Sequence, residues 1–195
     1  MTVADTPFIS PIQRAHPGGF FWTVNRARRI QAILDVAGRV KKLVVIAGSE
    51  SEACDVSERL TLLGLPVLLA SKPRHSYRSA RFEASARSAI VTTSEFASQN
   101  GPVQAPITIH LRPPFSSRNY VKRLRSSVSA VHLTFVIPED EQRASTLRSA
   151  LSPDLDGLSN DVIDLDDVID LTTADHVASI EPARRRFAFR NENSS

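Results

Sequence analysis

Leu43-Val44-Val45-Ile46-Ala47-Gly48-Ser49-Glu50-Ser51-Glu52 is the stretch that decides the fold. Five apolar residues without polar alternation suit a strand covered on both faces, as in a parallel sheet. Gly48-Ser49 ends that run, and Ser49-Glu50-Ser51-Glu52 opens a helix carried by Ala53, Val56, Leu60 and Leu63 and stopped at Gly64. The strand pattern recurs in Pro66-Val67-Leu68-Leu69-Ala70, Ala89-Ile90-Val91-Thr92-Thr93, Ile107-Thr108-Ile109-His110-Leu111 and Val131-His132-Leu133-Thr134-Phe135-Val136-Ile137. Helices fall between these runs. Ser116-Ser117 opens one through Tyr120, Val121 and Leu124. Upstream, Asn25 caps another whose inner face is Ile30, Ile33, Leu34 and Ala37, closed by Gly38. Strand–helix alternation with short connections predicts an α/β domain, a doubly wound and mainly parallel sheet over residues 18–151. Residues 1–17 form an N-terminal extension and 152–195 a tail.

Composition narrows the function. One Cys and one Met in 195 residues exclude a disulfide framework and a Cys-ligated zinc site. Cys54, between Ala53 and Val56 on the second helix, is expected to be a buried, inert thiol. Met1 to Phe8 lacks the basic start of a signal peptide, and no run approaches the roughly 18 apolar residues of a membrane span. The expectation is a soluble, cytoplasmic protein. His16, His110, His132 and His176 show no metal spacing, and His110 and His132 alternate with apolar residues as core or cleft-edge positions. No metal and no cofactor is expected. The nucleophile elbow G-x-S-x-G and the phosphate loop G-x-x-x-x-G-K-[ST] are both absent.

Charge is unevenly spread. Residues 1–153 hold 20 Lys and Arg against 11 Asp and Glu, whereas residues 154–183 hold nine acids and no Lys or Arg. A basic body favours polyanionic partners. Two clusters stand out: Arg74, Arg78 and Arg81 with Tyr77 beside them, and Arg118, Lys122 and Arg125 at i, i+4 and i+7 on one helix face, with Arg123 alongside. Arg26, Arg28 and Arg29 read as a solvated face. In the tail, Asp161-Val162-Ile163-Asp164-Leu165-Asp166 is nearly repeated as Asp167-Val168-Ile169-Asp170-Leu171-Thr172. This is either a flexible acidic tail with short sticky strands, the favoured reading, or a strand and turn packed on the core. As a free strand, Val162, Ile163, Leu165, Val168, Ile169 and Leu171 would add to the sheet edge of a partner.

The order of elements over residues 18–151 resembles the second RecA-like (P-loop NTPase-type) domain of DEAD-box RNA helicases. Phe20-Phe21-Trp22-Thr23-Val24 resembles that domain's opening strand, and Lys41 to Ala47 its motif IV strand, with Ser49 and Glu52 following. Arg78 matches an arginine that in the family contacts the nucleic-acid backbone, with His75 in place of a Gln. Thr93 and Ala97 survive from motif V, where Ser98 replaces the arginine. Tyr120 and Arg123 match motif VI, where Lys122 replaces His, Arg125 replaces Gly, and Ser126 and Ser129 stand in place of the two arginine fingers. Pro138-Glu139-Asp140 matches the closing pattern of the domain.

The resemblance implies a retained scaffold with eroded catalytic motifs. An arginine finger supplies roughly 10³–10⁵ in the rate of phosphoryl transfer, and serine carries no charge with which to do so. The expectation is a non-catalytic, helicase-derived module that binds nucleic acid, RNA rather than DNA, through Arg74, Arg78, Arg81, Arg118, Lys122, Arg123 and Arg125. The alternatives are an adaptor docking on a protein that carries a RecA-like domain, and one half of a split ATP-dependent helicase.

Overall fold

The computed structural model describes residues 12–16, 19–71, 87–100, 105–125, 129, 131–151 and 162–172. Its strands are β1 (Ile12–His16), β2 (Gly19–Thr23), β3 (Lys42–Ala47), β4 (Val67–Ala70), β5 (Ser88–Thr93), β6 (Ile107–His110), β7 (Val131–Val136) and β8 (Val162–Ile163). The helices are α1 (Arg29–Arg39), α2 (Glu50–Leu62), α3 (Ser94–Asn100), α4 (Ser117–Arg125), α5 (Glu141–Leu151) and α6 (Leu165–Asp170). Sheet order is β4-β5-β3-β6-β7-β2-β1-β8. The first six strands in this order pair in parallel. β1 then returns antiparallel to β2, and β8 antiparallel to β1.

Alternation of side chains along each strand divides the core in two. β3 sends Leu43, Val45 and Ala47 to one face, where α1 and α2 cover them with Ile33, Val36, Ala53, Val56 and Leu60. Val44 and Ile46 point to the other face, under Phe96 of α3. On that second face Phe21 and Val136 lie under Tyr120 and Leu124 of α4 and Leu147 and Leu151 of α5. All six side chains of β5 and of β7 are buried, which explains why these runs lack polar alternation. The five expected strands are present, and β2 stands where the resemblance placed the opening strand.

Local signals account for the helix ends. The Ser49 hydroxyl accepts from the Glu52 N–H at 3.2 Å, and Gly64, at φ 86°, stops the chain after α2 in a conformation a side chain would strain. The Asn25 side chain accepts from the Ala27 N–H at 2.9 Å, opening a 3-10 turn (Arg26–Arg28) that runs into α1.

Four expectations need correction. α1 continues through Gly38 to Arg39, because nothing forces a left-handed residue there. Leu63 lies past the last turn of α2 and is 60% exposed, so the inner face of that helix ends at Leu60. Cys54 faces solvent: Ala53 takes the buried stripe, and one residue further turns the helix by about 100°. Arg29 is not a solvated cation, since its guanidinium donates to Glu52 at 2.8 Å in a half-buried pair.

The acidic segment takes the packed arrangement over residues 162–172. Val162 and Ile163 pair with Gln13 and Ile12, and Val168 is fully buried in the core cluster that α1 and α2 also line. Two near-identical strings thus adopt different structures: the first supplies β8 and the helix cap Asp164, and the second lies mostly within α6. As folded, this string is not on offer to a partner's sheet. Gly64→Ala is expected to cost about 1 kcal/mol, read as a lowered denaturant midpoint with unchanged m-value.

Candidate nucleic-acid interface

β3 and β6 are neighbours in the sheet, but the helices that follow them depart to opposite faces, α2 to the first and α4 to the second. Chains that diverge in this way leave a crevice at the carboxyl ends of the strands, where open α/β sheets hold their ligands. Glu52 fills this position. Its carboxylate accepts from the Gly48 N–H at 2.8 Å and from Arg29 at 2.8 Å, and lies 3.6 Å from Arg112. Burial alone would raise the pKa of this carboxyl. The Gly48 hydrogen bond, the Arg29 hydrogen bond and the charges of Arg29 and Arg112 outweigh burial and hold it below its ordinary value.

The loop after β6 carries the chain from this crevice to the basic helix. The Leu111 N–H donates to the Ile46 carbonyl at 3.0 Å, anchoring the loop to β3. Arg143 holds it from the other side: its guanidinium lies 4.3 Å over the Phe115 ring, donates to the Pro113 carbonyl at 3.4 Å and pairs with buried Asp140 at 3.3 Å. Asp140 closes the 3-10 turn Pro138–Asp140, so the Pro138-Glu139-Asp140 string has a positioning role here. Ser116 then caps α4, accepting from the Asn119 N–H at 3.2 Å.

α4 reads Ser-Arg-Asn-Tyr-Val-Lys-Arg-Leu-Arg and contains no acid. Tyr120 and Leu124 fix it on the sheet, which leaves Arg118 and Lys122 exposed four residues apart. Among the described residues neither has a carboxylate partner, whereas Arg29, Arg39, Arg59 and Arg143 all do. Arg123 does not share their outward face. It is half-buried and donates to the Arg112 carbonyl at 3.2 Å, and burial, partly relieved by Tyr120, lowers its pKa. Arg125 ends the helix. Arg74, Arg78 and Arg81, with His75 and Tyr77, lie outside the described residues, as does Ser126.

Beside the apolar patch under α4, the second face of the sheet is polar over β6 and β7. His110 and His132 are both buried, with His110 Nε2 3.2 Å from His132 Nδ1 and the rings nearly parallel. The alternation of these histidines with apolar residues placed them at the core or the cleft edge, and the core is the outcome. Burial, then the neighbouring His132 and Arg123, hold His110 well below its ordinary pKa of 6.5. Burial pushes the Tyr120 phenol up, against the Thr134 hydroxyl and Arg123. Ser129, where the resemblance puts an arginine finger, is fully buried and hydrogen-bonded to Thr108 at 2.7 Å. An arginine there would bring a charge into the sheet face. Sequence reasoning missed the Glu52 cluster, although Glu52 three residues after a helix-opening Ser49 was the available signal. Among the described residues no group of three His, Cys, Asp or Glu side chains is placed to hold a metal ion, and no helix is long and apolar enough to cross a membrane.

Solved structures share this architecture. The chain aligns with the C-terminal domain of the DEAD-box protein Dbp5 at a TM-score of 0.58 and 14% identity, covering 80% of this chain and 96% of that one. It aligns with the E. coli DEAD-box protein SrmB, solved bound to regulator of ribonuclease activity A, at a TM-score of 0.51 and 12% identity, covering 69% of this chain and 84% of that one. No protein-family profile and no curated protein sequence matches the chain. The likeness is therefore one of fold: the described elements form the RecA-like fold of a helicase C-terminal domain.

Two outcomes follow from the buried groups. Glu52→Gln leaves Arg29 and Arg112 facing a neutral amide and is expected to cost about 1–3 kcal/mol in denaturant unfolding. For His110 the folded pKa lies below the unfolded one, so the unfolded chain takes up the extra proton as pH falls below 6.5. Stability is then lost toward acid by about 1.4 kcal/mol per pH unit for that proton, and is flat above neutrality. Unfolding measured between pH 7 and 5 should show this slope, reduced in His110→Gln.

Proposed function

We propose that this protein is a non-catalytic module that binds nucleic acid, RNA in preference to DNA, through the outward face of α4. One observation carries the reading: Arg118 and Lys122 stand exposed on an acid-free helix with no carboxylate partner among the described residues. Tyr120 and Leu124 seat this helix on the sheet and Arg143 clamps the loop that leads into it, so its cations are held ready for phosphates. Such contacts give affinity that does not depend on sequence and weakens with salt. Arg112 extends the basic strip toward the crevice, 44% exposed at its side chain. Arg123 serves this face from behind, bracing the Arg112 backbone rather than meeting phosphate. The fold likeness to helicase C-terminal domains agrees with such a role. Catalysis is not part of it, because serine at 126 and 129 supplies no positive charge to a transferring phosphoryl group.

A second reading, docking on a protein, is favoured by two observations. SrmB was solved with a protein bound to it, and Phe115 of this chain projects beside α4 with 85% of its surface exposed. Aromatic side chains of that kind anchor protein interfaces.

The two readings separate in one experiment. Binding of a labelled single-stranded RNA is measured by anisotropy between 50 and 200 mM salt, for the native chain and for the Arg118→Ala/Lys122→Ala variant. Nucleic-acid binding predicts weaker affinity and a slope of log K against log salt reduced by about 0.7 per lost phosphate contact. ATP should leave both curves unchanged. An unaltered affinity and slope in the variant would remove α4 as the interface.

A further inference from the structure

β8 and α6 sit on the core in the manner of a bound peptide. β8 makes a two-residue antiparallel ladder, Ile163 opposite Ile12 and Val162 opposite Gln13. The chain then turns at Asp164, whose carboxylate accepts from the Asp167 N–H at 2.8 Å, while the Asp167 carboxylate accepts from the Asp164 N–H at 3.4 Å. α6 follows, burying Val168 completely and packing Leu165, Ile169 and Leu171 partly into the core. Asp166 accepts from Arg39 of α1 at 2.6 Å.

Each contact states a chemical demand on whatever occupies the slot. The ladder asks for extended backbone and favours β-branched residues. The turn asks for an aspartate directly after the strand. Arg39 asks for an acid two residues later, and the buried position of Val168 asks for a medium-sized apolar residue four residues after the turn. Residues 162–168 read Val-Ile-Asp-Leu-Asp-Asp-Val and meet every demand.

The described contacts of the occupant are modest. Its ladder is two residues long, Val168 is the one fully buried side chain among residues 164–172, and the pair with Arg39 is exposed at both ends, 41% at Arg39 and 75% at Asp166. Exposed pairs of this kind are weak and screened by salt. Without the segment, β1 would present an open sheet edge, a template for another strand.

We propose that the edge of β1, with Arg39 and the pocket filled by Val168, is a docking slot for an acidic strand-and-turn peptide of a protein partner, and that residues 162–171 are its resident intramolecular occupant. A tethered segment competes at millimolar effective concentration, so weak peptides are excluded until the segment is displaced or detached. The mode is strand addition: backbone pairing supplies affinity, while Arg39 and the buried pocket supply selectivity. The slot lies under α1 on the first face of the sheet and α4 packs on the second, so the proposal stands independently of the nucleic-acid reading.

The probe is a fluorescein-labelled peptide with the sequence of residues 161–172, titrated into the full chain. Val168→Asp puts a charge into the pocket side of the resident segment and should detach it. This variant is expected to bind the peptide at least tenfold more tightly than the native chain does. Adding Arg39→Glu should weaken that binding severalfold, and a peptide of the same composition in scrambled order should not bind. Equal binding by native chain and variant, or equal binding of the scrambled peptide, overturns the proposal. Should Val168→Asp not fold, Asp164→Ala removes the turn cap outside the sheet and is expected to change affinity in the same direction by a smaller factor. Hydrogen exchange of the β1 amides supplies the second readout: protection should fall in the detached variant and return with added peptide, and unchanged protection overturns the proposal.

Discussion

The central strands are covered on both faces, and the rest of the structure follows from that constraint. A residue in β5, β6 or β7 has no solvent to turn to, so apolar side chains must interdigitate with helices and polar ones must find one another. Thr92 donates to the Ala70 carbonyl at 2.6 Å, Thr108 shares a hydrogen bond with Ser129, and His110 faces His132. The polar residues of β6 and β7 lie between the two apolar clusters of the second face, one under α3 and the other under α4 and α5. The same covering leaves the carboxyl ends of the strands as the place where charged groups gather.

There the protein uses arginine in two ways. Arg29 and Arg112 converge on Glu52, and Arg143 clamps the loop before α4 through Asp140, Phe115 and Pro113. These guanidinium groups position backbone. Arg118 and Lys122, by contrast, have no such duty among the described residues and face solvent. The charge asymmetry seen along the sequence becomes a separation in space: the acidic α6 packs on the α1 side of the sheet and the basic α4 on the other. The acids of α6 therefore do not neutralise the basic helix.

The candidate site was legible in part. The cations of α4 were evident from helical spacing, because Tyr120 and Leu124 leave only one face for burial and put positions 118 and 122 outside it. That spacing could not separate Arg123 from its neighbours. Its inward path depends on the Arg112 carbonyl, which is eleven residues away in sequence and brought close only by the loop. The Glu52 cluster was hidden for the same reason, since Arg29, Glu52 and Arg112 come from three elements that meet only when β3 and β6 pair.

By itself the sequence determined the fold class, since β-rich runs such as Leu43 to Ala47 and Val131 to Ile137 alternate with helical patterns over short connections, as a parallel sheet covered on both faces requires. It also determined the starts of α2 and α4, which rest on local hydrogen bonds from Ser49 and Ser116. Tertiary structure alone decided the rest: which histidines are core, which arginines hold backbone, and what the duplicated acidic string becomes. Two nearly identical six-residue strings fold as strand and cap in one case and as helix in the other, because Ile12 and Gln13 offer one an open edge and the core draws in Val168 of the other. Strings that short carry too little local free energy to choose, and the burial each meets makes the choice for them.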